Sequence, residues 1–168
     1  GKDGRHPNSL LRNNGNASFT DITEAAGLFS MHPTQTAAWG DYDGDGWLDL
    51  FIGNESFRGE IHPGELFHSN GDGTFQGVVK IPVGDVPDLV IPADLNKDGK
   101  VDLAVEIRGG SRVAILIGKG DGTFEDPVHY YTGDSPRGMT LGDFNNDGNT
   151  DVATANYLSS NIGIALGN

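Results

Sequence analysis

The residues best able to do chemistry in this chain are carboxylates, and they come in three matched sets. Asp41, Asp43, Asp45 and Asp49 form the first; Asp94, Asn96, Asp98 and Asp102 the second; Asp143, Asn145, Asp147 and Asp151 the third. In each set, oxygen side chains stand at loop positions 1, 3, 5 and 9, with glycine at position 6 (Gly46, Gly99, Gly148). A tight loop of alternating carboxylates turned by a glycine is a ligand set for a hard cation. Calcium takes about six to eight oxygens at flexible geometry, and the position 7 carbonyl fills a gap in the set. Each loop runs straight into a short apolar segment, at 50–52, 103–105 and 152–154.

Two other kinds of loop share some of these residues. An EF-hand needs a bidentate Glu at position 12 and flanking helices. Position 12 is Ile52, Val105 and Thr154, and no helical period of apolar residues flanks the loops. Clusters of Asp, Asn and Gly also make ordinary turns, because these residues tolerate left-handed backbone. A plain turn needs one or two of them, not four oxygens on alternate positions.

The elements that must position these loops follow from the repeats. The loops start at 41, 94 and 143, and a second motif recurs between them: Asn14-Gly-Asn-Ala-Ser-Phe19, Asn70-Gly-Asp-Gly-Thr-Phe75 and Lys119-Gly-Asp-Gly-Thr-Phe124. An insert at 55–65, ending His62-Pro63 and matched by His6-Pro7, lengthens the first spacing. Each unit reads as four short strands. Strand A precedes the acidic loop (36–39, 89–91, 138–141) and strand B follows it (48–53, 101–107, 150–155). Strand C leads into the second motif (9–12, 65–68, 112–117, 161–166), and strand D leaves it (19–22, 75–81, 124–131). Residues 23–27 offer a single helical turn, with Thr23 as cap and Gly27 as stop. Short strands at regular spacing, 26 glycines and four-strand units of about 40–50 residues predict an all-β array of propeller blades. The expected segments are a partial C-D blade at 1–33, whole blades at 34–85 and 86–134, and a partial A-B-C blade at 135–168. That is about three blades' worth.

The pairing of Gly-Asp-(Tyr/Phe)-(Asp/Asn)-x-Asp-Gly-x-x-Asp with Asn-Gly-Asp-Gly-Thr-Phe resembles the FG-GAP/VCBS repeats of integrin α-subunit-like β-propellers. The first third, Leu11-Arg-Asn-Asn-Gly15 followed by Phe19 to Leu28, is similar to the cartilage-acidic-protein subgroup. The rest resembles plainer secreted bacterial repeats. The resemblance implies that calcium sits at the turn between strands A and B. By position its three sites fall to the twelve Asp and Asn side chains above, with the carbonyls of Trp47, Lys100 and Asn149. Family propellers usually close with seven blades, so three blades' worth implies missing blades of a longer chain or copies that complete one another.

Composition narrows the function classes. The net charge of −13 speaks against nucleic acid, whose binding face should be basic. Without cations the acidic loops should repel themselves. No apolar run approaches the roughly 20 residues that span a bilayer. There is no cysteine. The missing initiator Met suggests a mature or excised piece, and moderate calcium sites saturate outside the cell, so an extracellular or cell-surface location is expected. The five histidines show no metal spacing and read as surface or turn residues. Glu60, Glu65 and Glu106 read as solvated. Trp39, Trp47 and Tyr42 read as blade-to-blade packing, with a sugar-stacking platform as the sharper alternative. No enzyme chemistry stands out. The expected role is a non-catalytic calcium-binding module for adhesion or head-to-tail assembly as ring or filament, with a protein or glycan ligand. The alternative is a lectin-like propeller, or the recognition part of a polysaccharide-active enzyme.

Overall fold

The computed structural model describes residues 8–56 and 60–168; the His6-Pro7 pair and part of the 55–65 insert lie outside them. The described strands form four antiparallel sheets in which neighbours in space are neighbours in sequence. The first sheet pairs β1 (Leu11–Asn13) with β2 (Phe19–Asp21). The second runs β3 (Thr34–Gly40), β4 (Asp49–Asn54), β5 (Gly64–Phe67) and β6 (Val79–Ile81). The third runs β7 (Pro87–Ala93), β8 (Asp102–Ile107), β9 (Arg112–Leu116) and β10 (Val128–Tyr131). The fourth has β11 (Pro136–Gly142), β12 (Asp151–Asn156) and β13 (Asn161–Ala165). This is the expected C-D, A-B-C-D, A-B-C-D, A-B-C order of propeller blades. The first strands lie side by side, β3 against β7 and β7 against β11.

Why the sheets stack is legible in β4 and β8, where every residue is buried. The pleat sends alternate side chains to opposite faces, so a strand packed on both sides is apolar through its middle, as at 50–52 and 103–105. Leu50, Ile52 and Phe67 face the first sheet and meet Ala26 and Leu28. Phe51 and Leu66, a cross-strand pair, face the third sheet and meet Val90, Leu103, Val105 and Leu116. Ala104 and Val113 then meet Met139 of the fourth. The core is therefore divided into three layers, one between each pair of sheets, and each fully buried Leu or Phe contributes about 1.5–3 kcal/mol.

Residues 23–27 form the single turn expected, closed by the Ala26 and Leu28 amides donating to the Ile22 and Thr23 carbonyls at 2.7 and 3.0 Å. One expectation changes in detail. The fourth strands of the whole blades do not run unbroken from Phe75 or Phe124. Each of these residues makes an isolated bridge, to Ser69 and Gly118, and pairing resumes only at Val79 and Val128. In the third sheet Pro127 stands just before that restart, and proline has no N–H to give a ladder.

Candidate metal loops

All three acidic loops join the first strand of a sheet to its second, and their backbones are folded alike. Positions 4 and 6 take the left-handed conformation: Gly44, Lys97 and Asn146 at φ 75, 63 and 59°, then Gly46, Gly99 and Gly148 at φ 92, 83 and 87°. Nothing lies within 4 Å of where a Cβ on Gly46 or Gly99 would stand, and on Gly148 it would meet only Lys97 Nζ, at 3.9 Å. Glycine is required there by backbone angle, not by space.

The position 1 aspartates bind the loop from within. Gly46, Gly99 and Gly148 donate their amides to Oδ2 of Asp41, Asp94 and Asp143 at 3.0, 2.9 and 2.8 Å. The Asp98 amide is shared between Asp94 Oδ1 and Asn96 Oδ1 at 3.1 and 3.0 Å. The Asp147 amide is shared likewise between Asp143 and Asn145. Position 5 oxygens accept from position 7 amides: Trp47 to Asp45 at 2.8 Å, Lys100 to Asp98 at 3.0 Å and Asn149 to Asp147 at 2.7 Å. Those bonds hold the Asp98 and Asp147 carboxyls below the usual carboxylate range. In the first loop, Asp41, Asp43 and Asp45 bring oxygens within 4.8 Å of one another, a group able to hold a metal ion. Desolvation raises the Asp43 carboxyl, with Asp49 and Asp45 adding repulsion.

Position 9 does more than the sequence pattern implies. Asp49, Asp102 and Asp151 are fully buried. Oδ2 of each accepts the position 2 amide, from Tyr42, Leu95 and Phe144 at 3.0, 2.9 and 2.8 Å. Oδ1 accepts the amide just beyond the third strand, from Ser69, Gly118 and Gly167, each at 2.8 Å. One carboxylate thus pins the loop to the far side of its own sheet. The position 7 side chains lie across the second turn. A Cβ on Gly71 would stand 2.6 Å from the Trp47 ring, one on Gly120 2.9 Å from Lys100 Cδ, and one on Gly167 3.2 Å from Asn149 Cβ.

Several sequence-based readings need correction. Glu65 and Glu106 are not solvated. Glu65 is buried and accepts from the Ser30 hydroxyl at 3.0 Å and the Asn54 amide at 3.1 Å. Glu106 is buried on β8 with neither carboxyl oxygen hydrogen-bonded. Burial, then Asp88, pushes its pKa up to about 7. Both sit on strands covered on two faces, which a lone charge within an apolar run does not reveal. Glu60 is exposed as expected. Tyr42 packs between blades, edge-on to Phe124 with ring centroids 5.9 Å apart. Trp39 and Trp47 are about half exposed. His68 is buried beside Asp43 and Asp49, and histidine spacing alone gave no sign of it. The signal that could have found it is its place in the repeat, held by Ile117 and Leu166 in the other blades.

Among the described residues no helix is long and apolar enough to cross a membrane. In comparison with known proteins, no curated protein matches the chain. Among solved structures it is similar to a chain of the Tc holotoxin pore of Photorhabdus luminescens, at TM-score 0.53 and 18% identity. The match covers 96% of this chain but 8% of that one, and it bears on the fold alone. The model of the FG-GAP-like repeat matches residues 2–52 and 94–154. With more than half of its length matched, and with its sheets in blade order, the chain belongs to the FG-GAP-like repeat family.

Proposed function

We propose that this chain is a non-catalytic, calcium-binding β-propeller module, placed outside the cell and serving adhesion or blade-on-blade assembly. The observation that carries the reading is the convergence of oxygens in the first loop, where Asp41, Asp43 and Asp45 stand within 4.8 Å of one another. The other two loops have the same backbone shape and are closed by the same position 6 amides. Oxygen-only donors of this kind suit calcium. Asp41 to Asp49, Asp94 to Asp102 and Asp143 to Asp151 serve as the three sites, with the carbonyls of Trp47, Lys100 and Asn149. Carboxylates engaged in this way are poor acids or bases, which supports a binding rather than a catalytic role.

The test is calorimetric titration of the chelator-stripped chain with calcium, followed by thermal melts. About three equivalents should bind. Saturation at 100 to 1,000 times the dissociation constant should add roughly 3–4 kcal/mol per site. No heat of binding, with a melt indifferent to chelator once calcium is removed, would overturn it.

Support for assembly comes from the fourth sheet. Ile162 and Ile164 are exposed and pair across to Ala155 and Ala153. Their counterparts in the third sheet, Val113 and Ile115, pack against the following blade. The face is built to receive another blade, from further chain or from a second copy. A second reading is glycan binding. It is favoured by Trp39, half exposed on a cavity of about 330 Å³ whose rim includes Asn8, Thr23 and Thr34. Sugar binding on a glycan array, lost in Trp39→Ala, would select it.

A further inference from the structure

Beside the first loop stands a histidine nitrogen that its two sisters lack. His68 follows β5 directly, in the place of Ile117 and Leu166, and is 8% exposed. Its Nδ1 has no hydrogen-bond partner. That nitrogen stands 3.4 Å from Asp43 Oδ2 and 3.4 Å from Asp49 Oδ2, and the three side chains bring donor atoms within 4.8 Å of one another. The ring has little freedom to turn elsewhere. A Cβ on Gly122 of the next blade would stand 2.0 Å from His68 Cε1, and the Gly122 amide is itself tied to the Tyr42 carbonyl at 3.2 Å.

A buried imidazole nitrogen aimed at two carboxylate oxygens, and bonded to neither, calls for a partner. The observed spacing fits a shared cation. Ligands about 2.1 Å from a tetrahedral ion stand about 3.4 Å from one another, the edge set by ordinary zinc–nitrogen and zinc–oxygen bonds. Imidazole is a ligand for zinc and its transition-metal neighbours, whereas calcium takes oxygen.

We propose that Asp43, Asp49 and His68 form a mixed nitrogen–oxygen site for a zinc-type divalent ion, so that the first loop differs in metal preference from the all-oxygen second and third loops. The inference rests on the reading of the first loop as a cation site. It assigns His68 as a metal ligand: calcium fills the first loop when alone, zinc displaces it there, and the other two loops keep calcium.

The experiment is a titration of the chelator-stripped full chain with zinc chloride in the presence of excess calcium, with cobalt(II) as a coloured substitute. Wild type should take one zinc equivalent. His68→Ile, which copies Ile117, should bind it about 100-fold or more weakly, since losing a ligand exceeds what outer-shell changes cost. Calcium uptake by the second and third loops should be unchanged. Undiminished zinc affinity in a folded His68→Ile protein would overturn the proposal. Should that variant fail to fold, the wild type decides by nitrogen NMR. A zinc-dependent shift of the His68 Nδ1 resonance supports the site, and an unshifted resonance at saturation refutes it. His68-dependent zinc binding without calcium uptake at the other loops would sink only the calcium reading. Calcium at three sites with His68-independent zinc binding would sink only this one.

Discussion

At the scale of single residues, the aspartate at position 9 matters more for stability than its loop neighbours. Asp102 is buried and accepts the Leu95 and Gly118 amides. Its replacement by Ala strands two donors, each costing about 1–3 kcal/mol, so Asp102→Ala should lose roughly 2–6 kcal/mol even without metal. Asp121→Ala is the control. Asp121 is exposed and accepts only from Thr123, and its loss should stay near 0.5 kcal/mol. Urea denaturation of both variants in chelator checks this, and equal losses would refute the strut. Glu106 gives a pH signature. Its folded pKa is raised from 4.5 to about 7, so between those values the unfolded chain ionises while the folded chain stays protonated. Stability is therefore unaffected below about pH 4.5, falls as pH rises to 7, and stays reduced above it. Glu106→Gln should melt higher than wild type at pH 8 and show a smaller advantage at pH 4. A pH-independent difference would contradict the assignment.

At the scale of elements, the A–B loop works as a clasp whose shape is set by backbone angle and by the amides its own carboxylates accept. Gly99 has φ 83° and open space around its missing side chain. Gly99→Ala should therefore cost about 1–2 kcal/mol from left-handed backbone alone. The same loss in chelator and in calcium would trace it to the backbone. A loss confined to calcium would trace it to the site. Asp98→Ala should weaken calcium binding at the second loop far more than Asp72→Ala does, because Asp72 lies in the second turn, where it accepts from Thr74. Equal effects in calorimetry would reduce the loops to turns.

At the scale of the whole molecule, stability comes from layers between sheets, so each blade leans on the next. Both terminal sheets leave apolar side chains exposed: Leu11 and Phe19 at one end, Ile162 and Ile164 at the other. If copies stack, light scattering at micromolar concentration should give a mass above 17.8 kDa, and Ile162→Lys with Ile164→Lys should return it to the monomer. A monomeric wild type in calcium would restrict blade-on-blade contact to further chain rather than copies.

The sequence by itself determined the repeat and the loops. Oxygen at positions 1, 3, 5 and 9 with glycine at 6 is a local pattern, and the strands on either side are fixed by short-range alternation and turn chemistry. The order C-D, A-B-C-D, A-B-C-D, A-B-C follows from counting those motifs. What only the tertiary structure decided is what stacking of sheets brings together. Asp49, Asp102 and Asp151 look like their loop neighbours in sequence, yet each is drawn under its loop by an amide from beyond the third strand. His68 lies about 20 residues from its carboxylate partners, and only the pairing of β4 with β5, capped by Gly122 of the next blade, aims its nitrogen between them. Glu106 reads as an ordinary surface charge until two neighbouring sheets cover both faces of β8. Local patterns fix local shape; burial and long-range encounter belong to the packing, because they depend on which face of one blade the next one covers.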